Sequence, residues 1–387
     1  MVPKGWEQKK LEELCSLDAP ITYGVLKPGE YFCGGIPLLQ IKDLCDGSVL
    51  SNGLHLISPE LDYEYRRSRI IKNDILISLV GTIGRVAKYQ SSSEANIHRN
   101  IGRIRSNQHE YLFHYLRSDD VQRGITDSAS GSSQSALNLS TLRSMLILVP
   151  PVIEQKKIAK ILSTWDKAIS VTEKLLTNSQ QQKKALMQQL LTGKKRLLDE
   201  NGVRFSGEWV YLTFDNAFIV ANKKSTQVKS SDYLQSGSIP IIDQGQSRIA
   251  GYCNNLEVYS DVPVIVFGDH TRCVKWIEFV FCPGADGTQV IKTSKILEPK
   301  LGYYLLSNTD IPNLGYSRHM RELKEKDFRL PLDIKEQQKI AAVLSAADAE
   351  ISTLEKKLAC LKDEKKALMQ QLLTGKRRVK VDEAVAE

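Results

Sequence analysis

Lys183-Lys-Ala-Leu-Met-Gln-Gln-Leu-Leu-Thr-Gly-Lys194 is repeated without a change at residues 365–376. The match continues upstream at a constant offset, where Glu154-Gln155 pairs with Glu336-Gln337 and Leu162-Ser163 pairs with Leu344-Ser345. The chain therefore contains a duplicated unit of about forty residues.

Apolar residues in both copies recur at alternating steps of four and three, which predicts a heptad seam along a helix. In the second copy the seam covers residues 340–372, with Lys365 as its one polar interruption. In the first copy it covers residues 158–190 and is more polar in the middle. Heptads this long favour a pair of long helices over a core helix of a bundle.

Both predicted helices have recognisable ends. Each stops at a glycine after Leu-Leu-Thr, Gly193 or Gly375, where a left-handed residue can close the last turn. Asp333, three residues before Glu336, is a capping pair for the second helix. About 39 helical residues correspond to a rod of ~58 Å.

Composition indicates an ordinary globular protein. With 387 residues and 42% hydrophobic content, the chain is long enough for two or more cores. It has no apolar run of about 18 residues and no apolar signal region at its start, so we expect no membrane span. Seven scattered cysteines predict reduced thiols and therefore a cytoplasmic location. The group His270, Cys273 and Cys282 lacks Cys-x-x-Cys spacing, so no metal site is predicted.

The net charge of +8 is concentrated in the first helical repeat, where residues 151–197 hold ten basic and three acidic side chains. A basic rod can follow phosphates, although such a face is usually only solvated. A nucleic-acid function must therefore rest on loops in the two globular segments.

The first globular segment, residues 1–150, predicts a mixed sheet of short strands separated by polar, glycine-bearing loops. The predicted strands cover residues 36–41, 75–80, 86–89, 101–104 and 145–149. Two of its loops are Gly81-Thr-Ile-Gly-Arg85 and residues 128–135.

The second globular segment, residues 198–331, repeats this plan. Ile239-Pro240-Ile241-Ile242 resembles Ile36-Pro37-Leu38-Leu39, residues 264–272 stand where residues 76–85 stand, and residues 315–318 correspond to residues 131–134. The frames agree while the loops differ, which is expected when one scaffold is used twice to recognise two ligands.

A family resemblance rests on these motifs. Two globular segments each precede a helix that carries Glu-Gln-x-x-Ile-Ala-x-x-Leu near its start and ends in Leu-Leu-Thr-Gly-Lys, and Pro150-Pro151 precede the first of these helices. Together with Phe267-Gly-Asp-His-Thr-Arg272 and Gly284-Ala-Asp-Gly287, this order resembles the specificity subunit of type I restriction-modification enzymes over nearly the whole chain. The first segment departs from the pattern, because Gly81-Thr-Ile-Gly-Arg85 replaces the Gly-Asp-His-Thr-Arg form.

The resemblance implies an α+β fold in which two target-recognition domains are joined by two long helices, paired as an antiparallel coiled coil with pseudo-two-fold symmetry. The expected divisions are recognition domain 1 (1–150), helical spacer 1 (151–197), recognition domain 2 (198–331), helical spacer 2 (332–380) and a tail (381–387).

The resemblance also implies partners. Each domain would read one half of a split, asymmetric site on double-stranded DNA, two methyltransferase subunits would bind the helices, and restriction/translocase subunits would join them. The chain has no adenine-methyltransferase motif and no P-loop. We therefore expect no cofactor and no catalytic residue in this chain.

Polar and basic side chains in the loops are the candidate DNA contacts, because they can reach phosphates or base edges. The predicted contacts are Arg85, Lys88, Arg99, Arg103, Gln134, Asn138, Gln244, Gln246, Arg248, Asp269, His270, Arg272, Lys275, Gln289, Arg318 and Arg321.

Two other functional classes remain open from the sequence. A DNA- or RNA-binding scaffold without a methyltransferase would bind a split duplex site alone. A nuclease with a site dispersed in sequence would cleave DNA in a metal-dependent reaction.

Overall fold

The computed structural model describes residues 2–45, 47–130, 136–313, 315 and 318–380. Its contacts divide the chain into a first unit, Met1–Thr172 with Lys357–Glu387, and a second unit, Glu173–Lys356. Each unit combines a sheet-rich domain with a segment of each long helix. The predicted tail, residues 381–387, lies outside the described residues.

The elements of the first unit begin with short strands. Its strands are β1 (Glu7–Lys10), β2 (Thr22–Tyr23), β3 (Ile36–Leu39), β4 (His55–Ile57), β5 (Ile75–Ser78), β6 (Val86–Lys88), β7 (Asn96–Ile97), β8 (Ile101–Ile104) and β9 (Leu146–Val149). Its helices are α1 (Pro59–Glu64), α2 (His109–Leu116), α3 (Asp119–Ser130), α4 (Leu139–Ser144) and the first part of α5 (Val152–Leu190).

The predicted strand at residues 36–41 ends earlier than expected. β3 stops at Leu39, and Ile41–Asp43 form a 3-10 turn. The Gln40 N–H donates to Asp43 Oδ2 at 2.8 Å, so a local cap ends the strand.

Three sheets make up the domain of the first unit, with strand orders β1-β9, β2-β8-β5-β6 and β4-β3-β7. The four-stranded sheet is antiparallel, with Ile75 opposite both Lys88 and Ile104. Helix α2 covers a core that includes Ile77, Ile104 and Leu112.

The second unit contains an equivalent set of elements. Its strands are β10 (Trp209–Thr213), β11 (Phe218–Val220), β12 (Ile239–Ile242), β13 (Gly251–Cys253), β14 (Val264–Gly268), β15 (Val274–Ile277), β16 (Cys282–Pro283), β17 (Thr288–Thr293) and β18 (Asp327–Pro331). Its helices are α6 (Phe214–Ala217), α7 (Pro299–Asn308), α8 (Met320–Lys324) and part of α9 (Ile334–Leu372).

The sheets of the second unit have the same order as those of the first: β10-β18, β11-β17-β14-β15 and β13-β12-β16. In both units the central strand of the small sheet pairs antiparallel on one side and parallel on the other. The duplication read from the helices therefore extends to the whole unit.

Helices α5 and α9 are each 39 residues long, as the heptads predict. Gly193 and Gly375 both have φ of +70°, which confirms the left-handed residues expected beyond the helix ends. Asp333 accepts a hydrogen bond from the Lys335 N–H at 2.8 Å, so it caps α9. Glu336, the other member of the predicted cap, binds Arg196 instead.

The repeated motifs at the two ends of each helix are the parts that pack on a domain. In the first unit, Ile158 and Leu162 from the start of α5 share a core with Met369 and Leu372 from the end of α9. The second unit mirrors this arrangement. Each domain thus contacts one helix start and one helix end, which gives a physical reason for both motifs to occur twice.

Within each unit the helix segments run antiparallel. In the first unit Glu154 near the start of α5 binds Arg378 beyond the end of α9, and Asp166 binds Lys365. In the second unit Lys183 binds Asp348 at 2.5 Å. The seam lysines are therefore paired with carboxylates of the other repeat. In the described part of the chain, no helix is both long and apolar enough to cross a membrane.

Candidate nucleic-acid interface

Gln244 lies at the centre of a loop cluster in the second unit. Its Oε1 accepts a hydrogen bond from the His270 N–H at 3.1 Å, and its backbone carbonyl accepts one from the Thr271 hydroxyl. Gly287 has φ of +60°, and a Cβ there would lie 2.5 Å from Gln244 Oε1 and 2.7 Å from His270 Cδ2. The cluster therefore requires glycine at this position.

Asp269 connects this cluster to α8. Its Oδ1 accepts a hydrogen bond from the Met320 N–H at 2.7 Å, and its carbonyl oxygen accepts one from the His319 N–H at 2.9 Å. Asp269 is 5% exposed, so its carboxylate is committed to the fold around α8.

Two cations hold neighbouring loops in place. Lys275 Nζ donates to the carbonyl oxygens of Asp243 at 2.8 Å and Ser247 at 2.6 Å. Burial lowers the pKa of Lys275, while the nearby Asp243 carboxylate opposes this shift. Arg272, with φ of +60°, donates to the Ile311 carbonyl at 2.8 Å. Both side chains position backbone that carries other candidates.

The remaining candidates of the second unit are more accessible. Gln246, Arg248, Arg318 and Arg321 are exposed. His270 Nε2 lies 4.0 Å from Asp286 Oδ1. Gln289 is half-buried and accepts a hydrogen bond from the Asn222 amide at 2.6 Å.

Asn222 was missed by the sequence reasoning. It also accepts a hydrogen bond from the Val290 N–H at 2.7 Å, and it is followed by exposed Lys223 and Lys224. The Asn-Lys-Lys run, which follows β11, is the signal that would have identified this loop.

In the first unit the loop between β5 and β6 carries Arg85. Its guanidinium donates to the Leu44 carbonyl at 2.9 Å, and its N–H donates to Ser78 Oγ at 2.8 Å. Gln122 of α3, which the sequence reasoning also missed, donates to the Gly84 carbonyl at 2.9 Å. The loop is therefore held by β5, by the segment before residue 45 and by α3.

The other candidates of the first unit occupy very different surroundings. Lys88 Nζ lies 5.2 Å from the centre of the Phe113 ring, and burial lowers its pKa. Arg99 is exposed. Arg103 is 3% exposed and donates to the carbonyls of Pro20, Arg67 and Arg69, so it ties segments of the domain together.

Asn138 is an exposed helix cap. Its Oδ1 accepts the Thr141 N–H at 2.9 Å at the start of α4. Gln134 lies outside the described residues. Across the described ranges, no group of three His, Cys, Asp or Glu side chains could hold a metal ion.

The comparisons with known proteins agree with this duplicated architecture. A family model, the type I restriction modification DNA specificity domain, matches residues 3–178. The chain is 26% identical to the putative type I restriction enzyme MjaX specificity subunit of Methanocaldococcus jannaschii, over 98% of this chain and 95% of that protein. It is 31% identical to the type I restriction enzyme EcoBI specificity subunit of Escherichia coli, over 49% of this chain and only 41% of that relative.

A solved structure shares the fold along the whole chain. The S subunit of the type I restriction-modification system from M. genitalium matches with a TM-score of 0.64 and 14% identity, over 96% of each chain. The two units share one α+β plan, and each carries a cluster of polar loop side chains. Residues 3–178 belong to the family of type I restriction modification DNA specificity domains, and along nearly its whole length the chain is similar to a putative type I restriction enzyme specificity subunit.

Proposed function

We propose that the protein reads a bipartite, asymmetric DNA sequence, each recognition domain binding one half-site. The observation that carries this proposal is the pair of domains with one strand order and different loops. Because the two domains share one strand order, they can bind DNA in similar orientations. Their loop residues differ, so each domain can recognise a different base sequence.

The proposed DNA contacts are mostly exposed side chains. In the second domain they are exposed Gln246, Arg248, Arg318 and Arg321, with half-buried His270 and Gln289 beside them. In the first domain they are exposed Arg99 and Asn138, half-buried Arg85 and Lys88, and Gln134, which lies outside the described residues. Arg103, Gln244, Asp269, Arg272 and Lys275 act by holding the loops in position, since their polar groups bond to the domain itself.

The long helices are the proposed docking surface for two methyltransferase subunits, which restriction/translocase subunits then join. Val152, Ile153 and Val171 in the first unit are about half exposed, as are Leu175 and Ile334 in the second. Apolar side chains at such positions fit a partner surface. The chain itself acts without catalysis, in the cytoplasm where its DNA lies.

The test is co-expression with the methyltransferase subunit, followed by single-molecule sequencing of host DNA for N6-methyladenine. The expected result is a split, asymmetric motif methylated on both strands. The variant Arg248→Ala should relax one half of that motif only, whereas Lys72→Ala, which removes an exposed cation that is not among the candidate contacts, should leave it intact. A soluble complex that produces no methylated motif would contradict the proposal and favour a partner-free DNA-binding scaffold.

A further inference from the structure

A cationic cleft opens on the first unit, between the sheet-rich domain and the end of α9. Its volume is about 690 Å³, and it is lined by Lys42, Leu44, Cys45, Gly84, Arg85, Val86, Arg117, Gln122, Lys365 and Met369. Four of these side chains carry a positive charge and none carries a negative one. Asp46, next to Cys45 in the sequence, lies outside the described residues.

Three of the four cations of the cleft, Arg85, Arg117 and Lys365, are held in place by the fold. Arg85 donates to the Leu44 carbonyl, and Gln122 fixes the adjoining Gly84 carbonyl. Arg117 and Lys365 both bind Asp166, at 3.3 Å and 2.5 Å. The cleft is therefore a built feature and not a chance meeting of flexible side chains.

Among the described side chains in and around the cleft, positive charges outnumber negative ones. Asp166 supplies one negative charge to both Arg117 and Lys365, while Lys42 and Arg85 add two further positive charges. Lys88 adds another close by, since Lys88 Nζ and the Arg117 guanidinium lie 5.2 Å and 4.9 Å from the centre of the Phe113 ring. A concave surface of one sign raises the local concentration of the opposite charge.

The shape and lining favour a phosphodiester over a free nucleotide. No aromatic side chain is among the described residues that line the cleft, so these residues offer a base no ring on which to stack. The cleft is bounded by the loop that presents Arg85, a proposed DNA contact. We propose that the cleft binds backbone phosphates of the DNA next to the half-site read by the first domain, an assignment that rests on the proposed function.

The assignment adds phosphate-binding residues to that function. Lys42, Arg117 and Lys365 fall outside the loops singled out by sequence, and phosphate contacts fix register on the duplex without reading bases. Lys42 is exposed and the other two are held by Asp166, so Lys42 is the residue whose charge can be removed without loss of an internal contact.

The test measures duplex affinity of the complex with its methyltransferase subunits as a function of salt. Each phosphate neutralised adds about 0.9 to the slope of log affinity against log salt. Lys42→Gln should lower that slope by about 1 and weaken matched and scrambled duplexes by the same factor. Lys72→Gln, another exposed lysine of the first unit, is the matched control and should behave as the wild type.

Three results would overturn the assignment or separate it from the proposed function. A Lys42→Gln complex with wild-type slope and affinity would overturn it. So would saturable binding of AMP that Lys42→Gln abolishes with no change in slope, because the cleft would then hold a free nucleotide. A wild-type complex without salt-dependent DNA binding would instead contradict the proposed function itself.

Discussion

The two units fasten their domains to the helices through the same helix positions but different domain residues. In the first unit His114 Nε2 lies 3.0 Å from Ser163 Oγ, and its Nδ1 lies 3.7 Å from Asp166 Oδ2. In the second unit the Tyr304 hydroxyl takes this place, 3.2 Å from Ser345 Oγ, and donates to Asp348 at 2.7 Å. The comparison shows that the helical repeat presents a constant surface, which each domain meets with its own chemistry.

A second pair of contacts differs in the same way. Glu336 is bound by Arg196 through two hydrogen bonds, at 2.5 Å and 2.6 Å, whereas Glu154 receives Arg378 and also the Trp6 N–H at 3.1 Å. The equivalent Trp209 N–H has no hydrogen-bond partner among the described residues. Stabilisation of the Glu336 carboxylate therefore depends more on Arg196 than stabilisation of the Glu154 carboxylate depends on Arg378.

Removing that arginine should have the largest effect on stability. Arg196→Met leaves the 1% exposed Glu336 carboxylate without its cation, and we expect the second unit to lose roughly 3 kcal/mol. Arg378→Met should cost the first unit about half as much, because Arg378 is 44% exposed and Trp6 still donates to Glu154. Urea titrations read by pulse proteolysis of each unit measure both values. Equal losses would contradict the difference between the two carboxylates.

Lowering the pH should reduce the folding stability of the first unit, because buried His114 is neutral in the folded state. Burial lowers the pKa of His114 to about 3, with the Asp166 charge opposing and Lys365, Arg117 and Lys88 reinforcing the shift. The unfolded histidine takes up its proton near pH 6.5, so the contribution is complete above that pH and is lost as pH falls towards about 3.

Between pH 6.5 and 5 the first unit should lose about 2 kcal/mol on account of this residue. His114→Gln, which keeps a polar group near Ser163, should remove most of that pH dependence. Tyr304→Phe in the second unit is the comparison, and it should leave the pH dependence there unchanged. Unfolding titrations at several pH values test this; an unaltered slope in His114→Gln would refute the role of burial.

Glycine substitutions should separate a packed loop from an open one. Gly287→Ala places a methyl group against Gln244 and His270, while a methyl group on Gly53, with φ of +71°, would have no described atom within 4 Å. Both variants place an alanine in the left-handed region of φ, which lowers folding stability by about 1 kcal/mol. Only Gly287→Ala should also weaken DNA binding, by roughly tenfold. Measurement of duplex affinity and thermal stability for both variants distinguishes the effects, and equal affinities would argue against the loop cluster as a DNA-reading surface.

The smallest effect is expected at the seam lysines. Lys365→Leu leaves Asp166 bound to Arg117, so it should change stability by less than about 0.5 kcal/mol. Lys183→Leu removes the cation from Asp348, which keeps the Tyr304 hydroxyl, and should cost about 1 kcal/mol. A double-mutant cycle of Lys183→Leu and Asp348→Asn measures the coupling energy between these two side chains. A coupling energy of zero would show that the ion pair is only a surface contact.

The sequence predicted the elements whose signal is local. Both helices and the strands around Ile75, Ile101 and Ile239 follow from periodicity and turn residues. The partner of Lys365 could not be predicted, because Asp166 is far away along the chain and meets it only when the helix segments pair.

The same limit applies to the candidate contacts. Arg103 lies in β8 and Asp269 directly follows β14, yet no local sequence motif distinguishes their roles from that of exposed Arg248. Their roles come from carbonyl and N–H groups of distant segments, such as Pro20 for Arg103 and Met320 for Asp269. Burial of this kind is decided by the fold and leaves no periodic pattern.

The most direct test of the central claim, that each domain reads its half-site independently, is the methylation motif of a domain exchange. Residues 209–331 would be replaced by the corresponding domain of another family member, and the exchanged chain co-expressed with the same methyltransferase subunit. Sequencing for N6-methyladenine should show one half of the motif changed and the other half and the gap retained. A motif altered in both halves would contradict the account.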